Sequence, residues 1–158
     1  MRLLIILLFI PLLSFKASNG KYKTFYESSY QEGDLILVGG ILFDVDKDGV
    51  RPESYDSIKP IADFLKRNPD YQVEIGVHTD DRGSAKYNKE LSQRRAKQVA
   101  FIVTGKYEVE FYRARYKGYG EEVPLISADS IQKLPLDKRE QAFSVNRRVE
   151  VKIVWAGK

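Results

Sequence analysis

Four segments of the chain alternate apolar and polar residues with the period of two that predicts β-strands. They are Asp34 to Asp44, Tyr71 to His78, Glu108 to Lys117 and Arg147 to Trp155. The alternating apolar residues of the first segment are Leu35, Leu37, Ile41 and Phe43, and Gly39-Gly40 predicts a bulge there. Gly118-Tyr119-Gly120 predicts a turn after the third strand.

The last predicted strand has the clearest division between an inner and an outer face. Its inner residues are Val149, Val151, Ile153 and Trp155, and its outer residues are Arg148, Glu150 and Lys152. By the same alternation Arg147, at the start of this strand, belongs to the inner side.

Two longer segments place apolar residues at helical spacing. The first predicted helix runs from about Pro52 to Asn68, and its inner stripe is Tyr55, Ile58, Ile61, Ala62 and Leu65. Pro60 inside it predicts either a kink or a separate first turn. The second predicted helix runs from Ala85 to Thr104, with Gly105 as its stop. Because strands and helices alternate along the chain, the pattern predicts a two-layer α/β sandwich.

Residues 121–145 form a connection that is longer than most and rich in turn residues. A short helix is expected around residues 129–134 or 136–141. The segment is a candidate flap over one edge of the domain.

Arg95 is the informative residue of the second predicted helix. It falls within the apolar stripe formed by Leu91, Val99 and Val103, where an unpaired guanidinium is costly. Arg95 therefore requires an anion, either a buried carboxylate of the protein or a carboxylate of a ligand. Asp80 is the candidate for the first role, or for a joint site in which Asp80 takes an ammonium and Arg95 a carboxylate.

Composition and charge narrow the class of protein. The 158 residues are enough for one domain with a core, and the chain has no cysteine, which excludes disulfides, thiolate sites and an acylated cysteine. Residues 1–20 predict a secretory signal peptide, with a retained anchor or a buried helix as alternatives. Without them Lys plus Arg falls from 26 to 24 against 22 acidic residues, so nucleic-acid binding is not expected. Residues 21–33 form a polar arm, ordered only if it packs on the domain.

The run HTDDRGSAKYNKELSQRRAKQV resembles the signature H-T-D-x-x-G…N-x-x-L-S-x-x-R-A of the OmpA-like peptidoglycan-binding domain. The segments ILFDVDKDGVRPES, GYGEEVP and NRRVEVKI resemble other parts of that domain in the same order. The resemblance covers residues 34–157. It implies an α+β fold, with βαβαβ order, an added last strand and a mixed four-stranded sheet.

The resemblance also implies a function. The family's domain binds the diaminopimelate residue of the peptidoglycan stem peptide without catalysis, and its Asp and Arg correspond to Asp80 and Arg95. Thr79 belongs to the same motif. Asn88 is suited to bonding the ligand or to capping the helix, and Arg147 to binding the ligand carboxylate or to reaching water. The implied location is the periplasm or cell envelope, at the cell wall and the outer membrane.

The alternative function is that of an interaction module with the same fold and no peptidoglycan binding. The partner would then be another envelope protein, bound by the arm and by residues 121–145.

Other chemistries are weakly supported. His78 is the only histidine, which is little for a metal site, and no G-x-S-x-G nucleophile motif accompanies it, so no enzyme activity is predicted. We expect His78 to be a hydrogen-bonded residue at a strand end. Residues 44–49 imitate the start of a calcium loop, but Tyr55 stands where its glutamate belongs, so an ordinary Asp-rich turn is favoured. No metal or cofactor is predicted.

Overall fold

The computed structural model describes residues 21–157, and the predicted signal peptide, residues 1–20, lies outside this range. The strands are β1 (Tyr22–Lys23), β2 (Leu35–Val38), β3 (Tyr71–His78), β4 (Ala114–Gly120) and β5 (Val149–Ala156). The helices are α1 (Tyr55–Arg67), α2 (Ala85–Phe101), α3 (Ala128–Gln132) and α4 (Leu136–Asn146). Within this range no helix has the length and apolar character needed to cross a membrane.

The strands form one mixed sheet in the order β1-β2-β5-β3-β4. Strand β5 is central and antiparallel to both β2 and β3, whereas β3 and β4 are parallel. The predicted fold class is confirmed, since the four expected strands form a mixed sheet packed with helices. The arm adds a fifth strand, because β1 pairs in parallel with β2.

The hydrophobic core lies between the helices and one face of the sheet. Its fully buried side chains include Ile58, Phe64, Ile75, Val99 and Val151. The arm contributes Tyr30, which packs edge-on against Phe64 with ring centroids 5.0 Å apart. The arm is therefore part of the folded domain.

Both predicted helices differ from expectation at an end. A 3₁₀ turn at Pro52–Ser54 precedes α1, which then continues through Pro60 without a separate first turn. Pro60 is the sixth residue of α1, and its missing N–H removes one helical hydrogen bond without ending the helix. Helix α2 passes into a π-helix at Ile102–Lys106, so the prediction that Gly105 stops the helix is wrong.

The bounds predicted for the third strand, and the turn predicted after it, are also wrong. Strand β4 begins only at Ala114 and continues through Gly118 and Gly120 instead of turning there. A Cβ atom on Gly118 would lie 2.1 Å from the main-chain nitrogen of Gln93. The glycine is needed because α2 packs directly on this strand, and not because the chain turns.

The predicted inner face of the first strand is inverted. Ile36 and Val38 are buried, whereas Leu37 is exposed. The pairing explains this, because Ile36 lies opposite Val151 and therefore shares its inner face. The alternation beyond Gly39-Gly40 does not belong to β2, which ends at Val38.

Two features of β5 also correct the prediction. Arg148 and Glu150 lie on the face away from the core but are each only 7% exposed, so they do not face solvent. Trp155 was predicted to face inward and is 39% exposed. The register with β3 shifts between Ile153 and Trp155, and this bulge puts Trp155 opposite Gln72 on the outer side.

Both short helices expected as alternatives in the connection before β5 are present, as α3 and α4. Asn146, at the end of α4, holds this connection in place. Its side chain accepts hydrogen bonds from the main-chain nitrogens of Leu125 and Ile126 at 2.8 and 3.0 Å. It also donates to the Ile126 carbonyl at 2.8 Å. The segment is thus packed against the start of β5, where it brings α4 to the candidate site.

Candidate functional site

A cavity of about 880 Å³ opens where the carboxyl end of β3 meets α2, α4 and residues 39–46. All five residues that were predicted to form the site line this cavity: Thr79, Asp80, Asn88, Arg95 and Arg147. The sheet carries Thr79 and Asp80 directly after β3, α2 carries Asn88 and Arg95, and Arg147 precedes β5.

Asp80 is a buried carboxylate with two guanidinium partners. Its Oδ2 accepts hydrogen bonds from Arg82 Nη2 at 2.7 Å and from Arg147 Nη1 at 2.6 Å. Its Oδ1 accepts one from the Arg82 main-chain nitrogen at 3.1 Å. Burial alone would raise the pKa of the Asp80 carboxyl, but these hydrogen bonds outweigh it and the pKa lies below its usual value.

A second carboxylate, Glu140 of α4, binds the same two arginines. Its Oε2 accepts from Arg82 Nη1 at 3.0 Å and its Oε1 from Arg147 Nη2 at 2.8 Å. Arg82 also lies over the ring of Phe143, with its guanidinium carbon 4.7 Å from the ring centroid. The two arginines and two carboxylates form a closed network at one side of the cavity.

Arg95 is bound differently. Its Nε donates to the Lys47 carbonyl at 2.9 Å and its Nη2 to the Asp44 carbonyl at 3.0 Å. The guanidinium stacks on Phe43 at 4.8 Å. In residues 21–157 no carboxylate lies within ion-pair distance of Arg95, and burial lowers the pKa of its guanidinium. Arg95 is thus a half-buried cation held by main-chain carbonyls, and the first alternative, a salt bridge to Asp80, is not formed.

Asn88 supports the site through hydrogen bonds to the segment that carries Asp80. It is 3% exposed, and its Nδ2 donates to the Asp80 carbonyl at 3.2 Å and to Glu121 Oε2 at 2.5 Å. The alternative that Asn88 caps the helix is wrong, because Ser84 is the N-cap and accepts from the Tyr87 main-chain nitrogen at 3.2 Å. Asn88 instead fixes the turn that carries Asp80.

Thr79 has an uncommitted hydroxyl. Its main-chain nitrogen donates to the Gly120 carbonyl at 2.9 Å, which extends the pairing of β3 with β4 by one residue. The Oγ1 atom is buried and has no hydrogen-bond partner in the described part of the chain. Thr79 itself lines the cavity, so this unpaired hydroxyl lies beside the space that is open to a ligand.

His78 lines the cavity next to Thr79. Among residues 21–157 it belongs to no group of three or more side chains that could hold a metal ion. Its ring stacks on Tyr119 with centroids 4.8 Å apart, and its Nε2 lies 3.2 Å from Glu150 Oε2. The expectation of a hydrogen-bonded residue is met at Nε2 alone, since Nδ1 is buried and without a partner among residues 21–157. Burial lowers the pKa of His78, although Glu150 opposes this shift.

The acidic turn at residues 44–49 is occupied by protein contacts. Asp44 binds Arg51, and Asp46 accepts from the hydroxyl of Tyr87 at 2.8 Å. Two carbonyls of the turn, those of Asp44 and Lys47, hold Arg95. Residues 44–46 of this turn also line the cavity.

Arg82 and Glu140 were not predicted as part of the site. Arg82 is only two residues from Asp80, so its ion pair was accessible from the sequence. Glu140 lies 58 residues from Arg82, on a helix whose position the sequence does not reveal, and no local signal marks it.

Comparison with known proteins agrees with this architecture. Residues 42–135, more than half of the chain, match the OmpA family. This chain belongs to the OmpA family. The predicted family is therefore confirmed. The predicted location in the cell envelope is confirmed as well, because the relatives include an outer membrane porin and a peptidoglycan-associated lipoprotein.

Two relatives show the extent of the likeness to known proteins. The chain is 37% identical over 113 residues to outer membrane porin F of Pseudomonas aeruginosa, which covers 72% of this chain and 30% of the porin. It is 30% identical over 130 residues to the peptidoglycan-associated lipoprotein of Brucella melitensis, covering 82% of this chain and 71% of the lipoprotein. The chain thus spans less than a third of the porin and most of the lipoprotein.

A solved structure gives the same result for the fold of this OmpA-family chain. The cell wall anchor of the T6SS from Pseudomonas aeruginosa matches with a TM-score of 0.58 and 27% identity. The match covers 77% of this chain and 79% of the anchor.

Proposed function

We propose that this OmpA-family chain binds peptidoglycan through a diaminopimelate residue of the stem peptide and so tethers the protein to the cell wall. The names of two matched proteins, a peptidoglycan-associated lipoprotein and a cell wall anchor, support the cell wall as the target. The cavity supports diaminopimelate as the group that is recognised. Binding without catalysis is part of the proposal.

The state of Arg95 is the observation that carries the proposal. A half-buried guanidinium with carbonyl partners keeps its full positive charge, and the cavity beside it gives an anion access to it. Carbonyl oxygens orient the guanidinium without neutralising it. A ligand carboxylate supplies the missing negative charge.

Asp80 is suited to the ammonium that accompanies this carboxylate in an amino acid. Oδ2 is saturated by Arg82 and Arg147, but Oδ1 accepts only one hydrogen bond from the described residues. A carboxylate oxygen can accept two. A ligand ammonium at Oδ1, with its carboxylate at Arg95, places both charges of a zwitterion at one cavity.

The remaining three residues have distinct roles in the proposal. The free hydroxyl of Thr79 contributes a hydrogen bond to the ligand. Arg147 contributes through Asp80, whose carboxylate it holds, and through its own half-exposed guanidinium. Asn88 positions the Asp80 turn and does not contact the ligand through its committed Nδ2.

The test is co-sedimentation with cell-wall sacculi that contain diaminopimelate, using protein purified from cells that express the whole chain. Wild-type protein is expected to sediment with sacculi and to be released by free meso-diaminopimelate. Arg95→Ala is expected to abolish retention. Arg94→Ala is the matched control, because Arg94 is exposed and its ion-pair partner, Asp48, is 3.8 Å away.

The possible results separate the two functions. Retention of a folded Arg95→Ala protein at the wild-type level would contradict the proposed role of Arg95. Wild-type protein that ignores sacculi but binds another envelope protein would favour the interaction module instead. Thermal melting of each variant establishes that it is folded.

A further inference from the structure

Glu140 bridges two guanidiniums in the way that a bound carboxylate does. Each of its oxygens accepts from one arginine, Oε1 from Arg147 at 2.8 Å and Oε2 from Arg82 at 3.0 Å. Guanidinium N–H groups are strong, charge-assisted donors to carboxylates. The two arginines therefore form a carboxylate site, and a side chain of the protein occupies it.

The two carboxylates of this network differ in exposure. The Asp80 side chain is 8% exposed, whereas that of Glu140 is 63% exposed. The Asp80 carboxylate accepts hydrogen bonds from both guanidiniums and from the Arg82 main-chain nitrogen, and it is shielded from water, so it stays in place. Exposed ion pairs contribute little to stability, so Glu140 can move away from the arginines at small cost.

The location of Glu140 connects it with the ligand. Glu140, Arg82 and Arg147 line the same cavity as Arg95. Arg82 and Arg147 have side chains that are 53% and 37% exposed, so an entering molecule can reach them. Helix α4 thus holds an exposed carboxylate at the cavity.

We propose that Glu140 is an internal substitute for a ligand carboxylate, which leaves Arg82 and Arg147 when a second carboxylate of the ligand binds them. This proposal rests on the proposed function, because it concerns the same cavity. It predicts that Glu140 weakens binding of ligands with two carboxylates and sets their affinity. Glu140 is then a residue that determines specificity, and α4 is the element that presents it.

The test is calorimetric titration of the whole-chain protein with free meso-diaminopimelate. Glu140→Gln is expected to bind about three- to tenfold more tightly than wild type, since two exposed ion pairs no longer have to be replaced. Asp137→Asn is the matched control, because it removes the same charge from the same helix, and the one ion pair of Asp137 within residues 21–157 is a long one to Lys138, at 3.8 Å. Cadaverine, a diamine without carboxylates, is expected to gain nothing from Glu140→Gln.

Each outcome decides the proposal. A selective gain in Glu140→Gln for diaminopimelate supports it. Unchanged or weaker binding in Glu140→Gln, while wild type binds, would overturn it and leave the proposed function intact. An equal gain in Asp137→Asn would also overturn it, because long-range charge would then explain the effect. If neither wild type nor Glu140→Gln binds diaminopimelate, both this inference and the proposed function fail.

Discussion

Nη1 of Arg147 lies 2.6 Å from Oδ2 of Asp80, although the two residues are 67 positions apart in the sequence. The contact joins the turn that follows β3 to the residue that precedes β5. Arg82 binds the same oxygen from within the turn. The acidic group of the site is therefore an anchored carboxylate whose position is set by two guanidiniums.

Asp80→Asn tests this anchoring. The amide keeps the shape of the side chain but weakens two charged hydrogen bonds, so the free energy of unfolding at pH 7 is expected to fall by about 1–2 kcal/mol. The effect is limited because Arg82 and Arg147 can both reach water. Urea denaturation measures it, with the exposed neighbour Asp81→Asn as control. Equal stability of the two variants would contradict the anchoring.

Glu150 gives the domain a predictable response to acid. Burial alone would raise its pKa, but hydrogen bonds with His78, Tyr22 and Arg148 lower the pKa to about 2. An unfolded glutamate titrates near about 4.3, so this stabilisation is complete above that pH and is lost as the pH falls toward 2.

Glu150→Gln is therefore expected to lower the free energy of unfolding at pH 7 by on the order of 2–3 kcal/mol. It is also expected to flatten the decline in stability between about pH 4.3 and 2. Denaturation curves recorded across this range test both effects. The same acid slope in wild type and variant would show that Glu150 does not carry it.

Tyr22 links the arm to the rest of the domain. Its hydroxyl donates to Glu150, and burial together with this carboxylate raises the pKa of Tyr22 to about 12. Tyr22→Phe removes a hydrogen bond to a charged group and is expected to reduce the free energy of unfolding by about 1–2 kcal/mol. Tyr26→Phe, at a side chain that is 81% exposed, is expected to have no effect. Chemical denaturation that does not distinguish them would contradict the docking of the arm.

Gly118 is where α2 approaches the sheet most closely. An added Cβ would meet Gln93 N at 2.1 Å and Gln93 Cα at 2.5 Å, which are backbone atoms that cannot move alone. Gly118→Ala is expected to lower the free energy of unfolding by about 3 kcal/mol, the upper end of the usual range for overpacked positions, because the close atoms belong to the backbone. Gly105→Ala has no atom within 4 Å of the new Cβ and is expected to be neutral or slightly stabilising. Thermal melting compares the two.

The spacing of apolar residues predicted correctly the strands and helices in which that spacing is regular along the whole element. Strand β3 runs from Tyr71 to His78, as the alternation of its residues predicts. Arg95 lines the cavity, as predicted from the position of a cation within an apolar stripe. The errors occur where a pattern is interrupted. The bulge before Trp155 reverses its side, and the pairing with Val151 sets the inner face of β2.

Contacts between distant segments could not be read from local patterns. Arg148 and Glu150 are buried because Tyr22 of the arm and the Val123 carbonyl lie against them. Glu140 reaches the site from α4, whose last residue, Asn146, bonds to the main chain of Leu125. Each of these contacts joins segments whose relative position depends on the completed sheet.

A crystal structure of the protein with meso-diaminopimelate would show whether the cavity binds an amino acid through both of its charges. We expect a ligand carboxylate within hydrogen-bonding distance of the Arg95 guanidinium and a ligand ammonium at Oδ1 of Asp80, in one cavity. Bound diaminopimelate that touches neither Arg95 nor Asp80 would contradict this expectation.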